Sequence, residues 1–395
     1  MNKPKVVFTY VEAGMGHIMP ITSISNAFEK KYGKYVEIVR SKFFSETGDK
    51  QMIKFERGFV SDVKAANTFP PYGFLETFFM NAISHKSLAF LFYNFYNVPV
   101  VKKAIKHMEE LQADMVVSTH FSPTLVANKV KTNKPLIVSY NPDVYLQPFY
   151  RNDGDLVLIS TQRGYERAMK HKKRFNEDNF KCVPFAIREK AFELFEKKEQ
   201  TKKELGLDGR LTIILFEGGY GIGKTKKIVE ILAKTDMKLN VIAICGSNEK
   251  AYKALKKLTP SESINLIVEG FSSNVLEYLS CADIFMGKSG ASSVAEPAFF
   301  GVAEIITNYA TFIEKGNAKY YVEDVKNAVV IKNPKKAVKK VRELYENPAL
   351  LNEMKSNALK IHDKYGSEES ADALFELLCK RFPNLKEEYD KDNAK

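Results

Sequence analysis

Short apolar runs alternate with helical patterns along almost the whole chain, and this alternation limits the fold more than any other feature. Runs such as Val6–Val11 and Leu211–Phe216 are continuously apolar, which is typical of strands covered by helices on both faces. Strands that alternate with helices form parallel sheets. The sequence therefore predicts an α/β protein with two Rossmann-like, doubly wound domains that face a cleft.

A lysine-rich segment at residues 197–203 separates the two series of apolar runs. The chain has 395 residues, which is enough for two or three domains. We predict an N-terminal domain over residues 1–190 and a C-terminal domain over residues 205–365. A last helix, at about residues 367–395, is expected to pack back on the N-terminal domain.

The net charge of +12 favours anionic partners. No nucleic-acid-binding signature is found, so these partners are expected to be phosphorylated ligands or an anionic membrane surface. The four cysteines form no CxxC pair and fit a reducing, cytoplasmic compartment. The sequence shows neither a signal peptide nor an apolar run long enough to span a bilayer.

A segment at residues 69–96 interrupts the alternation and contains ten aromatic side chains, and Lys86, Lys102, Lys103 and Lys106 lie in or just after it. It has no apolar run long enough to span a membrane, and its aromatic and basic composition is typical of an interfacial helix. The same residues could also form the core of an inserted helical pair. The sequence alone leaves both interpretations open.

A turn of small residues follows the apolar run at 282–286 and reads KSGASSVAE from Lys288 to Glu296. Small side chains let backbone N–H groups approach a phosphate, and the N-terminus of the following helix favours an anion. Glu296, one turn into that helix, could bind two neighbouring sugar hydroxyls. The pattern indicates a nucleotide-sugar site, although an ordinary strand–helix connection with a surface glutamate fits the same residues.

A first glycine turn, with Gly14 and Gly16, follows the first predicted strand and leads into His17. Imidazole titrates near neutral pH and can act as a general base for an acceptor hydroxyl. A helix N-terminus disfavours its protonated form, which suits a base. We predict that His17 is catalytic; the alternative is that it only caps or packs the turn.

A second glycine turn, Gly218 to Thr225, literally matches the P-loop pattern GxxxxGK[ST]. A P-loop ATP-binding protein is therefore a genuine alternative. No apolar strand ending in Asp offers the second carboxylate that such proteins use, and a P-loop leaves His17 and Glu296 unexplained. In either case the backbone N–H groups of the turn can hold a diphosphate.

Metal chemistry is not predicted. Asp153-Gly154-Asp155 is a DxD sequence, but it lies in a polar turn where Asp and Gly serve turn geometry. No cluster of His, Cys and Asp has metal-ligand spacing. We expect neither a catalytic metal nor a cofactor.

Together these motifs resemble the two-domain GT-B glycosyltransferases that include monogalactosyldiacylglycerol synthases, bacterial processive diacylglycerol glucosyltransferases and, more distantly, MurG. On the acceptor side the resemblance rests on the GMGH turn and on the strand ADMVVSTH, which ends at His120. On the donor side it implies a role for Gly218, Gly219, Gly221, Gly223, Gly246, Asn248, Phe271, Lys288, Ser289, Gly290, Ala291, Ser292, Glu296, Glu314 and Asn317. The chain departs from the family pattern in having no Trp and in having Ile313 before Glu314, where the family has Gln.

The resemblance implies an inverting, metal-independent transfer of a hexose from UDP-glucose or UDP-galactose to a lipid acceptor such as diacylglycerol. His17 would deprotonate the acceptor hydroxyl, and Glu296 would hold the ribose. The enzyme would lie peripherally on the inner face of the cell membrane. The alternatives are a MurG-like UDP-N-acetylglucosamine transferase with another acceptor, a P-loop ATP-binding protein, and a non-catalytic membrane-binding scaffold.

Overall fold

The computed structural model describes residues 3–12, 15–69, 71–75, 78, 98–147, 150, 154–172, 179–221 and 223–394. Most of the aromatic segment predicted at residues 69–96 lies outside these ranges, as do Gly14 and Asp153. Across the described ranges, every helix is too short or too polar to cross a bilayer.

Two parallel six-stranded sheets form the framework, which confirms the predicted α/β class. The first has the order β2-β1-β3-β4-β5-β6 and the second the order β12-β11-β10-β7-β8-β9. The strands are β1 (Lys5–Thr9), β2 (Glu37–Ser41), β3 (Met115–Ser118), β4 (Leu136–Asn141), β5 (Leu156–Ile159), β6 (Phe180–Cys182), β7 (Leu211–Phe216), β8 (Leu239–Ile244), β9 (Ile264–Glu269), β10 (Ile284–Lys288), β11 (Ala303–Asn308) and β12 (Ala328–Val330).

Helices connect these strands, as a parallel sheet requires. They are α1 (Met15–Tyr32), α2 (Lys50–Thr68), α3 (Val98–Leu111), α4 (Phe121–Ala127), α5 (Gln162–Lys170), α6 (Glu189–Glu196), α7 (Lys198–Glu204), α8 (Thr225–Leu232), α9 (Glu249–Lys256), α10 (Val275–Cys281), α11 (Ala291–Phe299), α12 (Phe312–Tyr320), α13 (Pro334–Glu346), α14 (Pro348–Leu359), α15 (Glu368–Arg381) and α16 (Pro383–Asn393). The first strand ends at Thr9 rather than at the predicted Val11. The sequence did not predict β6, because a strand of three residues is too short to show a periodic pattern.

The chain groups into two compact units. The N-terminal unit comprises residues 1–63, 75–187 and 366–395, and the C-terminal unit comprises residues 64–74 and 188–365. In the N-terminal unit, α15 returns to pack on α1, where the rings of Tyr32 and Phe375 stack with centroids 3.9 Å apart. Both rings belong to the core that covers one face of the sheet, together with Phe8 of β1.

The register of each sheet brings particular turns side by side at its carboxyl edge. In the N-terminal unit Thr9 pairs with Ser118, so the segment leading to His17 and the segment starting at Thr119 leave the sheet next to each other. In the C-terminal unit Phe216 pairs with Gly287, which brings the glycine turn after β7 beside the turn after β10. Ligands of parallel α/β sheets bind at this edge.

Candidate active site

His17 lies in the first turn of α1 and is held by the neighbouring segment. Its Nδ1 lies 2.8 Å from the carbonyl oxygen of Thr119. Because a carbonyl oxygen can only accept, Nδ1 carries the proton and Nε2 keeps its lone pair. Burial lowers the pKa of His17, against an opposing effect of the Thr119 hydrogen bond, so the neutral ring is favoured. The arrangement fixes the tautomer of the neutral ring and leaves Nε2 as a hydrogen-bond acceptor.

His120, the other histidine predicted on the acceptor side, lies beside His17 in an edge-to-face contact with ring centroids 5.2 Å apart. Its Nδ1 accepts from the backbone N–H of Ser122 at 3.3 Å and thereby caps α4. Burial, and secondarily the charge of His17, lowers the pKa of His120 well below its usual value. His120 therefore has a clear structural role as a neutral cap. Gly16 has open space where a Cβ would lie.

The glycine turn after β7 interlocks with the turn after β8. Gly218, Gly221 and Gly246 all have positive φ, which side chains rarely tolerate. A Cβ on Gly221 would lie 1.8 Å from the carbonyl oxygen of Cys245, so only glycine fits there. Asn248 donates from Nδ2 to the carbonyl of Gly221 at 2.9 Å. The structure thus brings together the predicted donor residues of both turns.

Gly219 and Gly223 complete this turn by different contacts. The carbonyl of Gly219 accepts from the N–H of Ser247 at 2.9 Å, which links the two turns a second time. A Cβ on Gly223 would lie 2.2 Å from the carboxyl carbon of Glu217. The absence of a side chain at residue 223 therefore makes room for a carboxyl group.

Glu217, which the sequence did not single out, fills the inside of the glycine turn. It is 3% exposed. Its Oε1 accepts from the N–H of Lys224 at 3.1 Å and from the hydroxyl of Thr307 at 2.9 Å. Burial raises the pKa of Glu217, and these hydrogen bonds and the nearby lysines oppose the increase. A glutamate placed immediately before a glycine turn is the sequence signal that could have identified it.

This carboxyl group argues against the P-loop alternative. In a P-loop, backbone N–H groups of the turn and the lysine amino group face a bound phosphate. Here the N–H of Lys224 donates to Glu217. The amino group of Lys224 donates instead to the carbonyl oxygens of Thr307, at 3.3 Å, and Lys332. The N–H and the amino group of Lys224, which a P-loop would direct at a phosphate, thus donate to protein oxygens instead.

Lys288 lies between the two neighbouring turns of the C-terminal sheet. Its Cε is 3.9 Å from the positions that Cβ atoms would take on Gly218 and on Gly290. Its amino group forms an ion pair with Glu314 at 2.8 Å, and both side chains are 14% exposed. The other carboxylate oxygen of Glu314 accepts from the N–H of Ala310 at 2.6 Å. This partly buried cation lies at the edge where the sequence predicts a diphosphate.

The remaining predicted residues of this turn lie around Lys288. Ser289 donates its hydroxyl to the carbonyl of Glu314 at 2.8 Å, and Asn317 donates to the carbonyl of Ser289 at 3.3 Å. Gly290 is the N-cap residue of α11 and has no side chain that could accept a hydrogen bond. The first N–H groups of the helix, those of Ala291 and Ser292, are therefore not capped by the N-cap side chain. Phe271, in the turn after β9, is 73% exposed.

Glu296 is buried, with 7% exposure, so its interpretation as a surface glutamate is wrong. Its Oε1 accepts from Nη2 of Arg188 at 2.8 Å and from Nε at 3.2 Å. Burial raises the pKa of Glu296, whereas Arg188 acts in the opposite direction. The sequence did not reveal this pairing, because the two residues are 108 positions apart. Within the described ranges, no group of three or more His, Cys, Asp or Glu residues is arranged to hold a metal ion.

Comparison with known proteins agrees with this architecture. The glycosyltransferase family 28 C-terminal domain matches residues 223–372. A probable chloroplastic monogalactosyldiacylglycerol synthase of Glycine max is 23% identical over 354 residues, which cover 82% of this chain and 65% of that protein. A processive diacylglycerol β-glucosyltransferase of Bacillus pumilus is 26% identical over 179 residues, 45% of this chain and 46% of that protein. The chain thus spans less than two thirds of the length of these two relatives.

Solved structures share the fold at low sequence identity. MurG of Acinetobacter baumannii aligns with a TM-score of 0.59 and 14% identity, covering 94% of this chain and 99% of that chain. The MnaA–UDP structure of Staphylococcus aureus aligns with a TM-score of 0.60 and 14% identity, covering 97% of both chains. The chain therefore has the GT-B fold, carries a glycosyltransferase family 28 C-terminal domain, and is related to the GT-B glycosyltransferases that include monogalactosyldiacylglycerol synthases, diacylglycerol glucosyltransferases and MurG.

Proposed function

We propose that the chain is an inverting glycosyltransferase that moves a hexose from UDP-glucose or UDP-galactose to a lipid hydroxyl, such as that of diacylglycerol. The observation that carries the proposal is the hydrogen bond from His17 Nδ1 to Thr119, which leaves Nε2 as a base. The names of the soybean and Bacillus relatives support the lipid acceptor. The UDP complex of a protein with the same fold supports the donor.

In the proposed reaction, the acceptor oxygen attacks the anomeric carbon while the bond from that carbon to the phosphate oxygen breaks. The proton of the acceptor hydroxyl passes to Nε2 of His17, and UDP leaves with the bonding electrons. Attack opposite the leaving group inverts the anomeric centre. The imidazolium formed keeps its Nδ1–H bond to Thr119, so the ring does not need to reorient during the step.

On the donor side, charge develops on the diphosphate as the bond breaks. We propose that the N-terminus of α11, the amino group of Lys288 and the backbone N–H groups of the glycine turn, other than that of Lys224, stabilise this charge. Lys288 would then exchange part of its ion pair with Glu314 for the diphosphate. Glu296 would accept from the ribose hydroxyls, and Arg188 would keep it ionised. In this proposal these groups supply the positive potential without a metal ion or a cofactor.

Membrane association is proposed from the residues that border the aromatic segment. Phe69, Leu75 and Phe78 are each strongly exposed, at 62%, 55% and 64%, and exposed large apolar side chains are available for contact with a membrane. Aromatic side chains next to basic residues suit the interface of an anionic membrane. A lipid acceptor that stays in the bilayer requires an enzyme on that surface, which we propose to be the inner face of the cell membrane.

The base of this segment is anchored on the C-terminal unit. A Cβ on Gly73 would lie 2.4 Å from the carbonyl oxygen of Ala310, so the two backbones are in close contact. The rings of Phe74 and Phe312 meet edge to face, with centroids 4.7 Å apart. Ala310 also donates its N–H to Glu314, the partner of Lys288. Gly73 and Phe74, near the start of the proposed membrane-binding segment, therefore contact the same stretch of chain that positions Glu314.

Thermal unfolding with UDP, UDP-glucose, UDP-galactose, UDP-N-acetylglucosamine and ATP tests the donor. A ligand at a hundredfold excess over its dissociation constant stabilises by about 2.7 kcal/mol, which shifts the midpoint measurably. We expect UDP compounds to raise the midpoint and ATP to leave it unchanged. A shift with ATP alone would overturn the proposal in favour of the P-loop alternative.

Variants of two buried glutamates locate the site. Glu296→Gln should weaken UDP binding, because the ribose loses an anionic acceptor. Glu304→Gln is the matched control. Glu304 is buried like Glu296, but it lies in β11 and pairs with Asn327. Equal UDP affinities for the two variants would contradict the proposed ribose contact.

Transfer of labelled hexose to lipid tests the acceptor. The full chain is incubated with each labelled UDP-sugar and with vesicles that contain diacylglycerol, with or without anionic lipid. We expect a β-linked glycolipid from UDP-glucose or UDP-galactose, formed faster on anionic vesicles. Transfer only from UDP-N-acetylglucosamine, and only to a polyprenyl diphosphate sugar, would support the MurG-like alternative instead.

A further inference from the structure

The carbonyl oxygen of Thr119 accepts two hydrogen bonds from side chains distant in sequence. One comes from His17 Nδ1 at 2.8 Å, and the other comes from the hydroxyl of Tyr150 at 2.6 Å. Thr119 also donates its own hydroxyl to the carbonyl oxygen of His17 at 2.7 Å. Thr119 thus binds His17 through its backbone and its side chain at once, while Tyr150 occupies the second lone pair of the same carbonyl.

We propose that Tyr150 is a positioning residue for His17, which acts through the Thr119 carbonyl to fix the ring and to limit how strongly it binds a proton. The inference rests on the proposed function, because it concerns the same base. In serine hydrolases a buried carboxylate orients the catalytic histidine and stabilises its protonated form. Here the neutral carbonyl of Thr119 orients the histidine instead, and the hydroxyl of Tyr150 donates to the same carbonyl.

The direction of the effect follows from the two donors. A carbonyl that already accepts from Tyr150 offers less electron density to the Nδ1–H group of His17. The imidazolium gains more from this bond than the neutral ring does, so a weakened bond keeps the ring unprotonated. Tyr150 is 2% exposed, and burial, aided by Asp143, raises the pKa of its hydroxyl well above the usual value. It therefore remains a donor over the whole range in which His17 titrates.

His120 is a second titratable group that faces His17. Its ring meets that of His17 edge to face, and burial lowers its pKa well below that of an exposed histidine. The neutral His120 therefore adds no counter-charge that would raise the pKa of His17. Control of the protonation of His17 is left to its burial and to the shared Thr119 carbonyl.

NMR of the full chain labelled with ¹⁵N-histidine tests the proposal without knowledge of the substrate. The chain has six histidines, and the signals lost in His17→Gln assign His17. We expect the Nδ1–H tautomer in the wild type. In Tyr150→Phe we expect the same tautomer with a pKa raised by a few tenths of a unit to about one unit, the range that one hydrogen bond can supply.

Tyr140→Phe is the matched control. Tyr140 is likewise fully buried in the N-terminal unit, but its hydroxyl accepts from the N–H of Ala186 at 2.8 Å. It should lower stability as much as Tyr150→Phe does and leave the titration of His17 unchanged. An Nε2–H tautomer in the wild type, or equal titration of His17 in the two phenylalanine variants, would overturn the proposal.

Kinetics separate this inference from the proposed function. In the transfer assay, the acidic limb of the pH–kcat/KM profile, which reports the free enzyme, should move to higher pH in Tyr150→Phe by the same amount as the NMR pKa. If His17→Gln retains full turnover, His17 is not the base and the proposed function fails, whatever Tyr150 does to the titration. If His17→Gln is inactive and both phenylalanine variants have the wild-type profile, only the role of Tyr150 fails.

Discussion

Two glycine-containing turns, one in each unit, follow the same local sequence pattern but have different chemical groups packed against them. Each follows the earliest strand of its sheet in chain order and leads into a helix, β1 into α1 and β7 into α8. After the first turn, His17 is anchored by Nδ1 and keeps the lone pair of Nε2, the atom that we propose as the base. In the second turn the carboxyl group of Glu217 occupies the inside of the turn. The residues that pack against a turn, rather than its glycines, decide what it can bind.

The largest effect is expected for a substitution of His17 in the N-terminal unit. His17→Gln keeps a polar side chain of similar size but removes the base, so kcat should fall by about 10²- to 10⁴-fold. Donor binding should be unchanged, because the proposed UDP contacts lie in the C-terminal unit. Single-turnover kinetics and UDP titration measure the two quantities separately. A loss of UDP affinity that matches the loss of rate would show that His17 is not acting as the base.

The second-largest effect is expected for a substitution of Gly223 in the turn of the C-terminal unit. A Cβ on Gly223 would lie 2.2 Å from the carboxyl carbon of Glu217, whereas one on Gly16 would meet open space. Gly223→Ala should therefore destabilise by about 1–3 kcal/mol and weaken UDP binding. Gly16→Ala should be neutral or slightly stabilising, because it replaces a helical glycine. Urea unfolding of both variants measures the difference.

A double variant tests the physical cause of this effect. Glu217→Ala removes the carboxyl group that an alanine at position 223 would strike. The pair should therefore be far less destabilised than the sum of the two single changes, as expected for residues in contact. Additive free energies of unfolding would mean that Gly223 is required for another reason.

The two turns also show what sequence reasoning can and cannot reach. Their positions follow from local patterns: an apolar run predicts each strand, and glycines before a helical pattern predict each turn. The partners inside them come from distant parts of the chain. Thr307 lies 90 positions from Glu217, and Thr119 lies 102 positions from His17. No periodicity encodes such pairings, because they depend on which strands become neighbours in the sheet.

Glu296 illustrates the same limit within a correctly located motif. The pattern places it one turn into a helix, where the structure has it in α11. Its burial and its pairing with Arg188 depend on a residue at the start of another segment. The proposed ribose contact therefore also depends on Arg188, which is not part of the motif.

A smaller effect, of about 1 kcal/mol or less, distinguishes the electrostatics of the turns as pH rises above the ordinary pKa of a glutamate. The pKa of Glu217 is raised in the folded chain, so the folded state holds its proton more firmly. Its contribution is fully present below the unfolded pKa and is lost as pH rises through the folded pKa. Glu217→Gln, which cannot ionise, should therefore gain stability relative to the wild type as pH rises. Parallel pH profiles of the unfolding free energy would contradict this.

The smallest effect is expected in acid, on the N-terminal side, where the sign is reversed. The pKa of His120 is lowered in the folded chain, so the unfolded chain binds the proton more readily. The contribution of His120 is present above its unfolded pKa of about 6.5 and is lost as pH falls toward the folded pKa. Protonation would also remove the Nδ1 acceptor that caps α4, because Nδ1 would then carry a hydrogen.

His120→Asn tests this effect, because asparagine is a favoured N-cap that does not titrate. Its free energy of unfolding should decline less than that of the wild type between about pH 7 and 5. His171→Asn is the control, since His171 is an exposed residue at the C-cap of α5. If both variants follow the wild-type profile, His120 is not a buried neutral cap. His17, whose pKa burial also lowers, would then be the next residue to test for the acid sensitivity of this turn.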